Sequence, residues 1–268
     1  MLTITSTSLS GGQGKTTLIY FLGKKLVSKG HKVLVVDLDP QHNLSTYLRV
    51  NVDRDDPSCL EFIQGNFNSV ADCIYPVEAV KNLFIIPSDE GLEIANDYLA
   101  SSGFGIVKLR NQLDLVKNEF KFDYCLIDTP PQKSQLCQTG IGASDYVCVP
   151  VETKSKGVIC LDRTLDAIET LNNSKIINTK LLAVLPFRDR LFGMNRSIEG
   201  KKALEQISSR IEPERLLPPW VESVQPEKAV NRNITLEDID FGELSYPFDV
   251  LAEQLEQLEQ LEQSEQLV

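Results

Sequence analysis

Ser10-Gly11-Gly12-Gln13-Gly14-Lys15-Thr16-Thr17 is the stretch whose reading decides the fold. Before it, Leu2 to Ser8 alternates β-branched and polar residues, and after it, Thr16 to Gly30 carries Leu18, Ile19, Leu22, Leu26 and Val27 at helical spacing. Strand, glycine loop and helix follow one another in the order a phosphate cradle requires. Gly11, Gly12 and Gly14 let backbone N–H groups approach phosphate oxygens, and the helix opening near Lys15 aims its positive end at the same anion. Lys15 supplies a point charge to the β and γ phosphates, and the Thr16 hydroxyl is placed to ligate Mg²⁺. The bland alternative is a glycine-rich turn entering a helix, and the strand and amphipathic helix on either side weigh against it. Gly11, Gly12, Gln13, Gly14, Lys15, Thr16 and Thr17 are therefore the expected nucleotide-binding residues. The common G-x-x-x-x-G-K-[ST] loop needs glycine at position 9, where Leu9 stands, so the loop is of another subtype.

Outward from the loop, Gly30-His31 ends the helix and Lys32-Val33-Leu34-Val35-Val36 is a near-continuous apolar run, as a strand buried on both faces requires. Four more such runs follow, at Leu83–Pro87, Tyr124–Asp128, Tyr146–Pro150 and Leu181–Leu185, with helical stretches between them at Gly105–Phe120 and Val158–Asn172. The pattern predicts an α/β fold, a single doubly wound, mostly parallel sheet of at least six strands with helices on both faces. Such sheets bind ligands at the carboxyl ends of their strands, where Asp37, Asp39 and Asp128 fall. Asp128 is placed to hold a water of the Mg²⁺ shell, Asp37 to share that task, and Asp39 to serve the attacking water. The alternative is that all three merely cap strand ends.

Composition supports a globular chain: hydrophobic residues make up 42% and charged residues 24% of the 268. No run of about 18 apolar residues appears and no basic segment precedes an apolar one at the N-terminus, so a cytoplasmic protein without membrane attachment is expected. The six cysteines show no C-x-x-C pair and read as small buried hydrophobes. Net charge is −11, and Asp249 to Val268 contributes six acidic residues and no basic one. That tail repeats Leu-Glu-Gln at Leu255, Leu258 and Leu261 and predicts a helix over 251–267 capped by Asp249, appended to an ATPase domain of residues 1–248. A strict three-residue period drifts around a helix, so the leucines favour packing on their own domain over a long heptad seam.

Three blocks beyond the loop resemble the ParA/MinD family of deviant Walker ATPases: VLVVDLDPQ at Val33–Gln41, FDYCLIDTPP at Phe122–Pro131 and ASDYVCVPV at Ala143–Val151. The resemblance covers about the first 170 residues. It implies ATP and Mg²⁺ as cofactors, an ATP-dependent homodimer, Asp39 as the group that activates water, and an adenine site near Pro218. The family normally carries a lysine at position 10 that reaches the partner's phosphates, whereas Ser10 is neutral and short. Lys154, at a position commonly acidic in the family, is the candidate substitute, its alternative being a solvated surface lysine. A serine at position 10 also resembles the branch that distributes carboxysomes over the nucleoid, which implies an adaptor protein of the McdB or ParB type.

Such proteins track non-specific DNA, which demands a basic face. Arg188, Arg190, Arg196, Lys201, Lys202, Arg210 and Arg215 stand against five acidic residues within 188–215, with Lys228 and Arg232 further on. These nine are the expected DNA-binding residues of a nucleoid-associated protein, the alternative being a mixed-charge surface. The acidic tail disfavours a membrane switch, and Cys137 and Cys160 lack the glycine flanks expected of an iron–sulfur carrier. A plasmid or chromosome partition ATPase, or a scaffold that hardly hydrolyses, stays open beside the positioning role.

Overall fold

The computed structural model describes residues 1–53, 55–193 and 195–265, so the last two residues of the expected tail helix, 266 and 267, and residue 268 lie outside the described residues. Seven strands form one sheet: β1 (Leu2–Ser6), β2 (Val33–Asp37), β3 (Tyr75–Pro76), β4 (Leu83–Ile86), β5 (Tyr124–Asp128), β6 (Tyr146–Glu152) and β7 (Lys180–Phe187). Their order is β3-β4-β2-β5-β1-β6-β7, parallel throughout except for the short edge strand β3. A two-residue pair, β8 (Leu191–Phe192) and β9 (Asn195–Arg196), makes a separate hairpin. The helices are α1 (Lys15–Ser28), α2 (Asn43–Tyr47), α3 (Cys59–Gln64), α4 (Ala95–Ser101), α5 (Gly105–Glu119), α6 (Gln135–Ala143), α7 (Ser155–Asn172), α8 (Ile198–Ser208), α9 (Gln225–Arg232) and α10 (Tyr246–Glu265). The expected doubly wound sheet is present, and all six expected parallel strands are in it.

Period-two alternation sorts each central strand between two faces. Val33 and Val35 of β2 and Tyr124 and Leu126 of β5 join the core beneath α1 and α10, whereas Leu34, Val36, Cys125 and Ile127 pack with residues of α3, α4 and α5. A third cluster joins Val147, Val149 and Val151 of β6 to α7 and α8. All six cysteines are free and buried. No described helix is long and apolar enough to cross a membrane.

The C-terminal helix begins at Tyr246, three residues before the expected cap, so Asp249 lies in its first turn and not at its N-cap. A boundary between residues 248 and 249 therefore falls inside α10. The physical reason is Phe248, which stacks on Phe21 of α1 at 5.5 Å and meets Trp220 edge-on at 5.1 Å, extending the helix into the core. Leu251, Ala252 and Leu255 are fully buried, Leu258 is partly so and Leu261 is 59% exposed. The leucine stripe thus rotates off the domain as its period dictates. Leu255→Ala should cost roughly 2–4 kcal/mol in urea unfolding, while Leu261→Ala stays within about 0.5 kcal/mol; equal costs would show that the helix is not docked this way.

Candidate active site

The glycine loop leaves β1 and enters α1 through two left-handed glycines, Gly12 (φ 77) and Gly14 (φ 98). Gly14 is required twice, since a Cβ there would lie 2.7 Å from the Phe187 ring as well as in a disfavoured conformation. Gln13 is fully buried, and its Oε1 accepts a 2.8 Å bond from the Glu152 backbone N–H, tying the loop to the end of β6. Lys15 is 6% exposed and donates to the Ser10 carbonyl at 3.4 Å. Burial lowers its pKa, and the nearby Asp128 and Asp39 pull the other way.

Asp128 and Asp39 act on this lysine, and Asp37 lies beside them because the strands are neighbours: Asp37 and Asp128 are register partners across β2 and β5, and Ser6 of β1 pairs with Asp128. Asp37 is fully held, accepting from the Ser45 backbone N–H (2.9 Å) and hydroxyl (2.8 Å) and from the Asp39 N–H (3.2 Å). Burial still raises it to about 6, against the lowering effect of Ser45. Asp39 accepts from the Gln41 N–H at 3.0 Å, and its carbonyl takes the Ser88 hydroxyl at 2.8 Å. Asp128 is different. It is fully buried and neither carboxylate oxygen has a hydrogen-bond partner. Burial first, then the charge of Asp37, pushes it well above the usual carboxylate range; the Thr16 hydroxyl and Lys15 oppose this, the hydroxyl without completing a well-formed bond.

An orphaned, desolvated carboxylate beside a threonine hydroxyl fits a hard cation with oxygen ligands. Thr16, Asp37 and Asp128 are the residues that would hold Mg²⁺ or its waters. Among the described residues no three His, Cys, Asp or Glu side chains form a metal cage on their own.

Beside the loop lies a cavity of about 400 Å³ lined by Thr17, Tyr47, Phe187, Arg188, Trp220 and Glu222 among others. It begins on the first turn of α1 and so continues the phosphate cradle. Pro218, the expected base contact, is not among its lining residues, whereas Trp220 and Val221 are. The backbone N–H of Trp220 donates to the Pro186 carbonyl at 2.8 Å and carries this segment alongside β7, so the chain reaches the cavity two residues later than Pro218.

Lys154 is the N-cap residue of α7, with its side chain 39% exposed and Nζ 3.9 Å from Glu152 Oε1. The turn is fixed by Gly157, where a Cβ would meet the Glu152 carbonyl at 2.0 Å. Two residues earlier the Glu152 backbone N–H donates to Gln13, so Lys154 follows the strand end that is tied to the loop. A cation at a helix N-terminus opposes the dipole, and the cap makes no side-chain hydrogen bond. The position therefore sacrifices local stability.

The basic residues are less uniform than the sequence suggests. Arg190 pairs with Glu222 (2.6 Å), Arg196 with buried Asp189 (2.5 Å), Arg215 with Glu212 (2.5 Å), and Arg210 with Asp162. Arg188 lies by Glu152 at 3.4 Å and lines the cavity. Lys201, Lys202, Lys228 and Arg232 are exposed, and no ion pair is formed by them among the described residues. Sequence reading missed Ser45, Phe187, Arg188 as a cavity residue and Glu152; their link to the loop is made by the sheet and leaves no local spacing to read.

Phosphate loop, Asp-bearing strand ends and parallel sheet define a P-loop ATPase of the ParA/MinD type. An AAA domain family model matches residues 1–182. The maintenance of carboxysome distribution protein A of Synechococcus elongatus is 39% identical over 255 residues, which cover 95% of this chain and 99% of that protein. The apo structure of McdA from Cyanothece agrees with a TM-score of 0.90 at 40% identity, covering 95% of this chain and 99% of that one. An ATP complex of an aspartate-to-alanine variant of McdA from Cyanothece also gives 0.90 at 40% identity, with 95% and 96% covered. The chain belongs to the family of maintenance of carboxysome distribution protein A, McdA.

At pH 8 the unfolded chain has Asp128 ionised while the fold resists its charge; the penalty shrinks as pH falls toward the ordinary carboxylate value of 3.8 and vanishes only well below it, where both states are protonated. Asp128→Asn should therefore stabilise the nucleotide-free protein by roughly 1–3 kcal/mol at pH 8 and by less at pH 5, while removing the Mg²⁺ dependence of ATP affinity. Thermal unfolding and nucleotide titration check both. Destabilisation at pH 8 would contradict the orphaned-charge account.

Proposed function

We propose that this chain hydrolyses ATP to ADP and phosphate as a switch: two copies close around nucleotide, the dimer binds nucleoid DNA without sequence preference, and an adaptor of the McdB type couples it to carboxysomes. The observation that carries this is the convergence of Lys15, Asp37, Asp39 and Asp128 on one edge of the sheet beneath the glycine loop. Full-length likeness to carboxysome distribution proteins supports the cargo. ATP captured on an aspartate-to-alanine variant of a relative supports an aspartate acting after binding. In this reading Lys15 and the loop amides hold the phosphates and Thr16, Asp37 and Asp128 serve the Mg²⁺ shell. Asp39 orients the attacking water, and Lys154 crosses to the partner's phosphates in place of the lysine that Ser10 lacks. Mg²⁺, when bound, neutralises charge on the β and γ phosphates.

The N-cap placement of Lys154 gives a test with two opposed readouts. Lys154→Ser should raise helix stability by about 1 kcal/mol, because serine caps and lysine does not, and should lower turnover at least about tenfold. Unchanged ATPase activity in a more stable variant would remove Lys154 from the mechanism.

For DNA, the four uncommitted cations carry the proposal. The Lys228→Ala/Arg232→Ala pair should lower the slope of log affinity against log salt by roughly 2 in the ATP state, with equal losses on unrelated sequences. Filter binding across a salt series checks this, and an unaltered slope would place the DNA face elsewhere.

A further inference from the structure

The turn that carries Lys154 holds a second charged group to which the proposed reaction gives no task. Glu152 ends β6, its backbone is fixed by Gln13, and its side chain is only 13% exposed. A single oxygen, Oε1, lies 3.9 Å from Lys154 Nζ and 3.4 Å from Arg188 Nη1. One cation reaches it from the start of α7 and the other from the lip of the cavity. Arg188 is set in place by a left-handed backbone (φ 52), with its guanidinium 5.3 Å from the centre of the Phe187 ring. Phe187 in turn packs on Gly14 of the loop.

The energetics of this arrangement are lopsided. Lys154 sits against the positive end of an 18-residue helix, and Glu152 is the anion within ion-pair distance that offsets the repulsion, with Glu222 acting on Lys154 and Arg188 from further off. Arg188 divides the same oxygen, which keeps the hold on Lys154 weak enough for a stronger anion to break. A triphosphate presents more negative charge to an approaching ammonium than a diphosphate does, so a restraint of this kind separates the two.

We propose that Glu152 is a positioning residue that restrains Lys154 within its own protomer, so that ATP in the partner draws the lysine across and ADP does not. The carboxylate thereby sets the nucleotide selectivity of dimerisation. This rests on the reading of Lys154 given above, and the experiment separates the two.

Dimer fraction is measured by sedimentation velocity against ATP and against ADP, on the full chain with Mg²⁺. Glu152→Gln keeps the size of the side chain and removes its charge, leaving the backbone bond to Gln13 intact. It should lower the ATP concentration for half-maximal dimerisation roughly fivefold, the scale of one partly exposed ion pair, and should produce dimer with ADP. Glu152→Asp should fall between parent and Glu152→Gln, and carries the test if the glutamine variant does not fold. Adding Lys154→Ala to Glu152→Gln should abolish the gain, a result that a merely structural role for Glu152 would not give. Parent-like nucleotide selectivity in Glu152→Gln, with Lys154→Ala alone still defective, overturns the restraint and leaves the function standing. A gain that survives Lys154→Ala in the double variant also overturns it. Parent-like dimerisation and turnover in Lys154→Ala alone overturns the role of Lys154 and the restraint together.

Discussion

The structure depends on a charge that it does not itself satisfy. Asp128 ends the central strand β5, fully buried, in register with Asp37 and without a hydrogen bond to either oxygen. Two carboxylates at adjacent strand ends repel, and removal from water worsens the cost of each. Asp37 is relieved by Ser45, which donates both a backbone and a side-chain bond. Asp128 has no such relief, and Lys15, the cation that opposes its upward shift, is itself lowered by burial. A carboxylate held in a dry site suits a metal cation and an ammonium beside it suits a phosphate, because the desolvation of each has been completed during folding. A site of this kind is less stable when empty, and ligand binding is then coupled to the stability of the sheet edge.

The rest of the edge is organised to keep the loop fixed against that charge. Gln13 bonds the end of β6, Gly14 lies against Phe187 at the end of β7, and Phe187 packs on Trp220, which packs on Phe248 of α10. Loop, cavity and C-terminal helix are thus one packed series. A disturbance at α10 reaches the cavity beside the loop through two aromatic contacts, so the helix contributes to the shape of that cavity.

Much of this was legible in the sequence, and the boundary of legibility has a physical meaning. Continuous apolar runs marked the parallel strands after β1, because burial on both faces leaves no polar alternation, while β1 itself was read from alternating β-branched and polar residues, and the glycine loop declared its own ligand class. Asp37 and Asp128 could be placed because strand ends are visible where an apolar run stops, and Asp39 because it follows Asp37 by two residues. The edge strand Tyr75–Pro76 could not, being two residues long with a proline in it. The start of α10 was missed since Tyr246 and Pro247 carry no helical period of their own, and Phe248 is helical through its packing on α1. Pro218 was placed by likeness alone, and the strand-like run of its segment beside β7 moved the cavity contact to Trp220. Glu152 was invisible for a simpler reason: its two partners are 2 and 36 residues away, one local and one across the sheet.

Charge is where counting along the chain misleads most. The basic stretch at 188–215 spends Arg190, Arg196, Arg210 and Arg215 on acidic neighbours. The acidic tail does the same in reverse, since Asp249 pairs with Lys25 at 2.9 Å and Glu256 with Lys29 at 3.1 Å, both on the α1 side of the domain. A paired arginine can still meet a phosphate, but it must then give up a carboxylate, so its contribution to counterion release is smaller than that of a free lysine. What a polyanion meets is therefore the pattern of uncommitted charge, in which Lys201 and Lys202 on α8 and Lys228 and Arg232 on α9 weigh more than the five arginines that first drew attention. A net charge of −11 bears on solubility and long-range repulsion. It does not decide whether these two helices can hold a duplex.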